Sequence, residues 1–218
     1  MVARIVDISV PLENGVPSDP PGYGFKISYV PHKETAHLWL SRYENLKSED
    51  IGGEAFATED IQLSTHNGTH VDAPWHYSST MKNGMPTATI DEIPLEWFYG
   101  SGVKLDLKHL AHGTEATPRD IDDALFAANH TLKPNDIVLF NTAAGARYGF
   151  EDYTRSGCGF GRDATLHLTK QGIRVAGTDA WSWDPPFYAM QKKFFRDTRC
   201  KCNLVRTSRR QRNTILPY

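Results

Sequence analysis

The side chains with most to offer chemically lie in one eleven-residue stretch, His66-Asn67-Gly68-Thr69-His70-Val71-Asp72-Ala73-Pro74-Trp75-His76. Three imidazoles and a carboxylate stand at offsets of 0, 4, 6 and 10. All share one parity, so an extended chain turns them to one face. A straight strand would still spread His66 and His76 over about 33 Å at ~3.3 Å per residue, too far for shared chemistry. The stretch must therefore bend. Gly68, which relaxes the backbone restriction, and Pro74, which fixes φ, are suitable bending points. His70 and Asp72 stay ~6.6 Å apart along an extended segment, a separation from which both side chains can reach one ion. A mixed imidazole and carboxylate set suits Zn, Mn or Fe(II) better than Ca or Mg, which prefer all-oxygen shells. Such an ion lowers the pKa of coordinated water toward ~7, and a nearby unligated His can act as general base or acid. A single His more often caps a turn or packs in a core; four convergent candidates in eleven residues favour the metal.

The elements that must position this stretch can be read in outline. Ile5 to Val10 alternates apolar and polar residues and predicts a half-buried strand, broken by the Pro- and Gly-rich sequence from Pro17 to Tyr23. Ala55 to Leu63 is a second extended candidate, and Gly102 to Leu107 alternates again. Thr117 reads as an N-cap, with Pro118 at the first helical position and Asp120 three residues after the cap; Ile121, Ala124, Leu125 and Ala128 follow at helical spacing. Ile137-Val138-Leu139-Phe140 is wholly apolar, the pattern of a strand covered on both sides. Arg162 to Gln171 predicts a helix stopped by Gly172, and Ile173 to Gly177 a strand ending in Thr178-Asp179. Helix, tight turn and strand in succession argue for an α/β layered domain rather than a β-sandwich.

Composition narrows the function classes. The 218 residues carry 39% hydrophobic and 23% charged side chains and a formal net charge of −2, ordinary values for a globular protein. The charge is uneven. Phe195 to Tyr218 holds seven basic residues against one acid, leaving 17 basic and 25 acidic residues for the first 194. An acidic body argues against nucleic acid, which needs a basic face. Cys158, Cys200 and Cys202 are an odd count that fits no framework of paired bridges, so a reducing, cytoplasmic setting is expected. No positive-then-apolar leader follows Met1 and no run of about 18 apolar residues occurs, so neither secretion nor membrane spanning is expected.

The stretch from His66 to His76 resembles the H-x-G-T-H-x-D-x-P-x-H signature of the cyclase family, metal-dependent hydrolases that include bacterial kynurenine formamidase and isatin hydrolase. Ile90 to Trp97, Asn141-Thr142-Ala143-Ala144-Gly145, Gly157-Cys158-Gly159 and Gly177 to Asp184 look like further family segments in the right order, so the resemblance covers roughly residues 3 to 194. It implies a mixed sheet with flanking helices, the swivelling β/β/α fold, and a homo-oligomer. It makes His66, His70 and Asp72 ligands of a divalent Mn or Zn, and His76 the residue that handles protons. The implied reaction is hydrolysis of an amide-type C–N bond in a small, often aromatic or cyclic, substrate. Trp75, Phe98, Trp181 and Trp183 are candidate pocket walls, although aromatic residues are more often core. For Asp179, hydrogen bonding to neighbouring backbone is the expected role, and for His167 a packed or surface position.

The resemblance stops after Phe194. Family members continue with a segment like W-E-G-H-K-A-G-R-E-I-G-Y-C-H-L-E-K-L, whose first His and last Glu complete the metal site, whereas residues 195–218 here are basic and carry neither. Read one base later with suitable synonymous codons, the tail allows Gly-His, Ala-Gly, Glu-Ile and Tyr-Cys-His at the family's spacing. The expectation is a domain over 1–194, incomplete and of impaired activity, followed by a frameshifted tail over 195–218; the nucleotide sequence near codon 195 decides it. Cys200-Lys201-Cys202 has the ligands for a soft metal, but in an out-of-frame tail the pair is expected to be accidental. Two other readings remain open: a catalytically dead member that binds a ligand or partner, and a 2-His-1-carboxylate Fe(II) oxygenase using His70 and Asp72. The local clustering of candidate ligands and the helices count against the oxygenase.

Overall fold

A computed structural model describes residues 6–81 and 84–198 of the chain. These residues cluster into two compact units. One holds the described residues up to Val16 together with Pro20–His70, the other Pro17–Asp19 together with the described residues from Val71 onward.

In the first unit, β1 (Lys26–Val30), α1 (His32–Leu40) and β2 (Thr58–Gln62) follow one another, and β1 pairs antiparallel with β2 in the register Ile27 to Ile61. Ile27 is buried, and the Asn14 amide extends the ladder on its far side by bonding both the Ile27 carbonyl (2.7 Å) and N–H (2.9 Å). The extended stretch expected over Ala55 to Leu63 is β2. The strand expected over Ile5 to Val10 does not form across the described residues 6–10. Asp7 instead accepts the N–H and hydroxyl of Ser9, at 2.9 and 2.6 Å, a local bond that competes with a ladder. Val6 and Ile8 consequently stay exposed.

The second unit runs α2 (Pro74–Tyr77), β3 (Gly102–Asp106), β4 (Glu115–Ala116), α3 (Pro118–Ala127), β5 (Ile137–Asn141), β6 (Gly159–Phe160), α4 (Arg162–Lys170), β7 (Val175–Thr178) and α5 (Phe187–Thr198). Three strands form a parallel sheet in the order β3-β5-β7, with Val103 opposite Val138 and Leu139 opposite Gly177; β4 and β6 form a second, short parallel pair. Thr117 caps α3 as the sequence predicts. Its hydroxyl accepts the Asp120 N–H while the Asp120 carboxylate accepts the Thr117 N–H. Gly172 ends α4 with φ +83°, where a side chain would be strained.

Leu105, Ile121, Val138, Phe140, Phe160 and Leu168 make a continuous core, each side chain worth ~1.5–3 kcal/mol of transfer free energy. The expectation that β5 is covered on both sides needs correcting: Val138 and Phe140 are buried, but Ile137 and Leu139, on the other face, are only half-buried. Ala128, counted with the apolar face of α3, is exposed beyond its end. Among the described residues no helix is long and apolar enough to cross a membrane. Helix α5 continues four residues past Phe194, the end of the family-like region; the rest of the expected frameshifted tail, with Cys200 and Cys202, lies outside the described residues.

Candidate metal centre

The stretch from His66 to His76 bends at both expected points. Asn67, buried, closes a turn by accepting the Ser64 N–H on its amide oxygen (2.7 Å) and donating its amide nitrogen to the Tyr23 carbonyl (2.8 Å). Gly68 follows with φ +65°, a conformation that favours glycine, and a Cβ there would stand 2.6 Å from the end of the Leu12 side chain, which would have to shift. Thr69 anchors the far side of the turn by accepting the Val10 N–H at 2.9 Å. Pro74 then turns the chain again as the first residue of α2.

These turns set the functional side chains. The His66 and His70 rings meet edge to face, 5.2 Å between centroids. His70 Nδ1 lies 2.9 Å from the Gly68 carbonyl; a carbonyl only accepts, so Nδ1 carries the proton and Nε2 of the neutral ring carries the lone pair. Asp72, half-buried, receives the Tyr77 hydroxyl on Oδ2 at 3.2 Å, and His76 Nε2 stands 4.0 Å from the same oxygen. The Tyr77 ring packs edge to face on His76, 4.9 Å away. Burial, then the Asp72 carboxylate, raises the Tyr77 phenol above its ordinary range, so it remains a hydrogen-bond donor.

His66, Asp72 and His76 each offer a ligand atom, and the three atoms lie within 4.8 Å of one another. Two imidazoles and a carboxylate at this spacing fit a borderline divalent ion such as Zn or Mn. His70 stands beside this trio, through its ring contact with His66, rather than within it.

The remaining candidates fall elsewhere. Trp75 is 63% exposed. Trp181 donates Nε1 to Asp19 at 3.1 Å and packs its ring edgewise on Phe187. Trp183 stacks on Phe160 at 4.3 Å and donates to Thr165, which makes it part of the core packing. Phe98 is half-buried in a single helical turn, Leu95–Phe98. Asp179 accepts the Thr142 N–H and hydroxyl (2.8 and 2.7 Å) and the Gly145 N–H (3.2 Å), the backbone role expected of it. His167 pairs with Asp122 at 2.7 Å between α4 and α3. Tyr77 escaped the sequence reading, although a phenol directly after His76 and five residues beyond Asp72 was a usable signal.

The family model of the cyclases matches residues 6–185. The chain belongs to the cyclase family. Within it, this cyclase-family chain is 31% identical over 154 residues to the kynurenine formamidase of Salinibacter ruber (strain DSM 13855 / M31), an alignment covering 70% of this chain and 62% of that protein. It thus spans less than two thirds of that relative's length. Isatin hydrolase A from Labrenzia aggregata, solved with benzyl benzoate, superposes with a TM-score of 0.61 at 26% identity, covering 84% of this chain and 70% of its own. Isatin hydrolase A from Ralstonia solanacearum gives a TM-score of 0.64 at 19% identity over 84% of this chain and 68% of its own, a likeness of fold. The mixed α/β cyclase fold expected from the sequence is the fold observed.

Proposed function

We propose that this chain is a metal-dependent hydrolase of an amide-type C–N bond in a small aromatic substrate, with His66, His70 and Asp72 holding Mn or Zn and His76 handling the proton. One observation carries the reading: His66 and Asp72, two of the proposed ligands, and His76, the proposed proton carrier, present side-chain atoms within 4.8 Å of one another in a single bent segment. The names of the relatives, a kynurenine formamidase and an isatin hydrolase, support the substrate class. Bound there, a divalent cation supplies Lewis acidity, polarising a carbonyl and acidifying water toward a pKa of ~7.

The chain's own groups do the rest. Tyr77 fixes the Asp72 carboxylate through its hydroxyl. The Nδ1–H of His70, committed to the Gly68 carbonyl, turns Nε2 outward as the donor atom. His76, 4.0 Å from Asp72, takes a proton from the attacking water and returns it to the leaving nitrogen; the carboxylate favours the imidazolium in between. The domain that performs this is proposed to run to about residue 194 and to act as a homo-oligomer.

The test is a metal titration of the purified full chain with Mn and with Zn, paired with hydrolysis of an N-formyl arylamine. About one ion per chain and turnover are expected, and His66→Ala and Asp72→Ala should each weaken metal binding by more than about a hundredfold. No binding of either ion, or undiminished binding in both variants, overturns the reading. Metal binding with no turnover of any amide assigns the chain instead to ligand binding without catalysis.

A further inference from the structure

We propose that the cleft between α3 and α4 binds a small linear dicarboxylate, with one anionic end at Arg162 and the other at Lys170. The inference is independent of the hydrolase reading, and the cleft shares no residue with the segment from His66 to His76.

The sequence of α4 sets the pattern. Arg162, Leu166 and Lys170 recur every four residues and so form one stripe along the helix, while Ala164 and Leu168 turn to the core. Along that stripe the order is cation, apolar, cation. The two cations start about 12 Å apart at ~1.5 Å per residue, and their long side chains can lean toward each other over Leu166.

The neighbouring helix turns the stripe into a cleft. Pro118, the first residue of α3, lines it together with Arg162, Asp163, Leu166, His167 and Lys170, and the enclosed space is about 320 Å³. Small-molecule sites begin near that size, ~300 Å³. An ion pair between the helices fixes the spacing of the walls: His167 Nε2 lies 2.7 Å from Asp122 Oδ1.

The two cations differ in what already holds them. Arg162 pairs with Asp163 at 3.5 Å, but the side chains are 60% and 80% exposed, where such a pair contributes little. A ligand carboxylate that accepts from both prongs of the guanidinium therefore displaces Asp163 with little loss. Among the described residues Lys170 joins no ion pair. A compact monoanion would satisfy one end of the cleft only. A dicarboxylate with a short methylene spacer meets both cations and lays its apolar middle on Leu166 and Pro118.

The test is calorimetric titration of the full chain with adipate and with hexanoate at about pH 7, in low salt and without added metal. Adipate is expected to bind at least about tenfold more tightly, the worth of a second charge-assisted contact. Arg162→Gln and Lys170→Gln should each bring the two ligands within about twofold, whereas Asp163→Asn, which removes the competitor for Arg162, should tighten adipate about threefold. All three side chains are exposed on α4, and circular dichroism checks that the variants keep the unaltered helix content. Equal affinity of the unaltered chain for adipate and hexanoate overturns the proposal, as does an adipate preference that persists in the folded double variant Arg162→Gln, Lys170→Gln. His66→Ala separates the cleft from the candidate metal centre. It should leave adipate binding unchanged; a preference lost there would place the dicarboxylate at the metal centre and overturn the cleft.

Discussion

Tyr77 illustrates how a neighbour outside the signature can govern a ligand. Its hydroxyl holds one oxygen of Asp72 at 3.2 Å and its ring holds His76, so a single side chain constrains the carboxylate and the imidazole together. Orientation of a ligand by an outer hydrogen bond is typically worth ten- to hundredfold in metal affinity. Tyr77→Phe keeps the ring and removes only the donor. It is expected to weaken Mn or Zn binding about tenfold in a competition titration, with the circular dichroism spectrum unchanged. Unaltered affinity would mean that the turn at Pro74 alone places Asp72.

Among the elements, the link between β5 and β7 has the clearest energetic consequence. Both strands end side by side, and Asp179, just past β7, gathers three donors from the segment that leaves β5. Asp179→Ala strands the Thr142 N–H, the buried Thr142 hydroxyl and the Gly145 N–H at once. A loss of about 2–4 kcal/mol in urea unfolding is expected. Asp179→Asn, which retains one acceptor, should lose less. Equal stability of Asp179→Ala and the unaltered chain would show that the sheet pairing holds this end without the carboxylate.

For the molecule as a whole, acid stability should depend on Asp136. Its buried carboxylate accepts the Lys133 N–H and meets His130 Nε2, both at 2.9 Å. The Lys133 N–H first, then His130, holds its pKa below the ordinary value. With the folded pKa depressed, the stabilisation is present above about pH 4 and is lost as pH falls through the lower folded value. Asp136→Asn should therefore be less stable than the unaltered chain near pH 6, and the gap should close toward pH 2 when unfolding is followed across that range. A constant gap would place the cost of the substitution in packing rather than in charge.

Sequence alone determined the parts whose causes are local. Thr117, Pro118 and Asp120 specify the start of α3 because the cap is made within one turn, and Gly68 and Pro74 specify the bends because backbone restriction is a property of single residues. The alternation in Gly102 to Leu107 and the apolar run at Ile137 found two strands of the parallel sheet for the same reason. Tertiary structure decided what depends on distant partners. Ile5 to Val10 has the alternation of a strand, but over its described residues Asp7 and Thr69 take the backbone groups a ladder would need. Trp183 and Trp181 look equivalent in sequence, yet one stacks into the core and the other walls a cavity, because side-chain environment is set by what packs opposite. His66, His70, Asp72 and His76 were legible as a set. Which of them share a 4.8 Å neighbourhood was not, since that follows from how sharply two turns fold one segment.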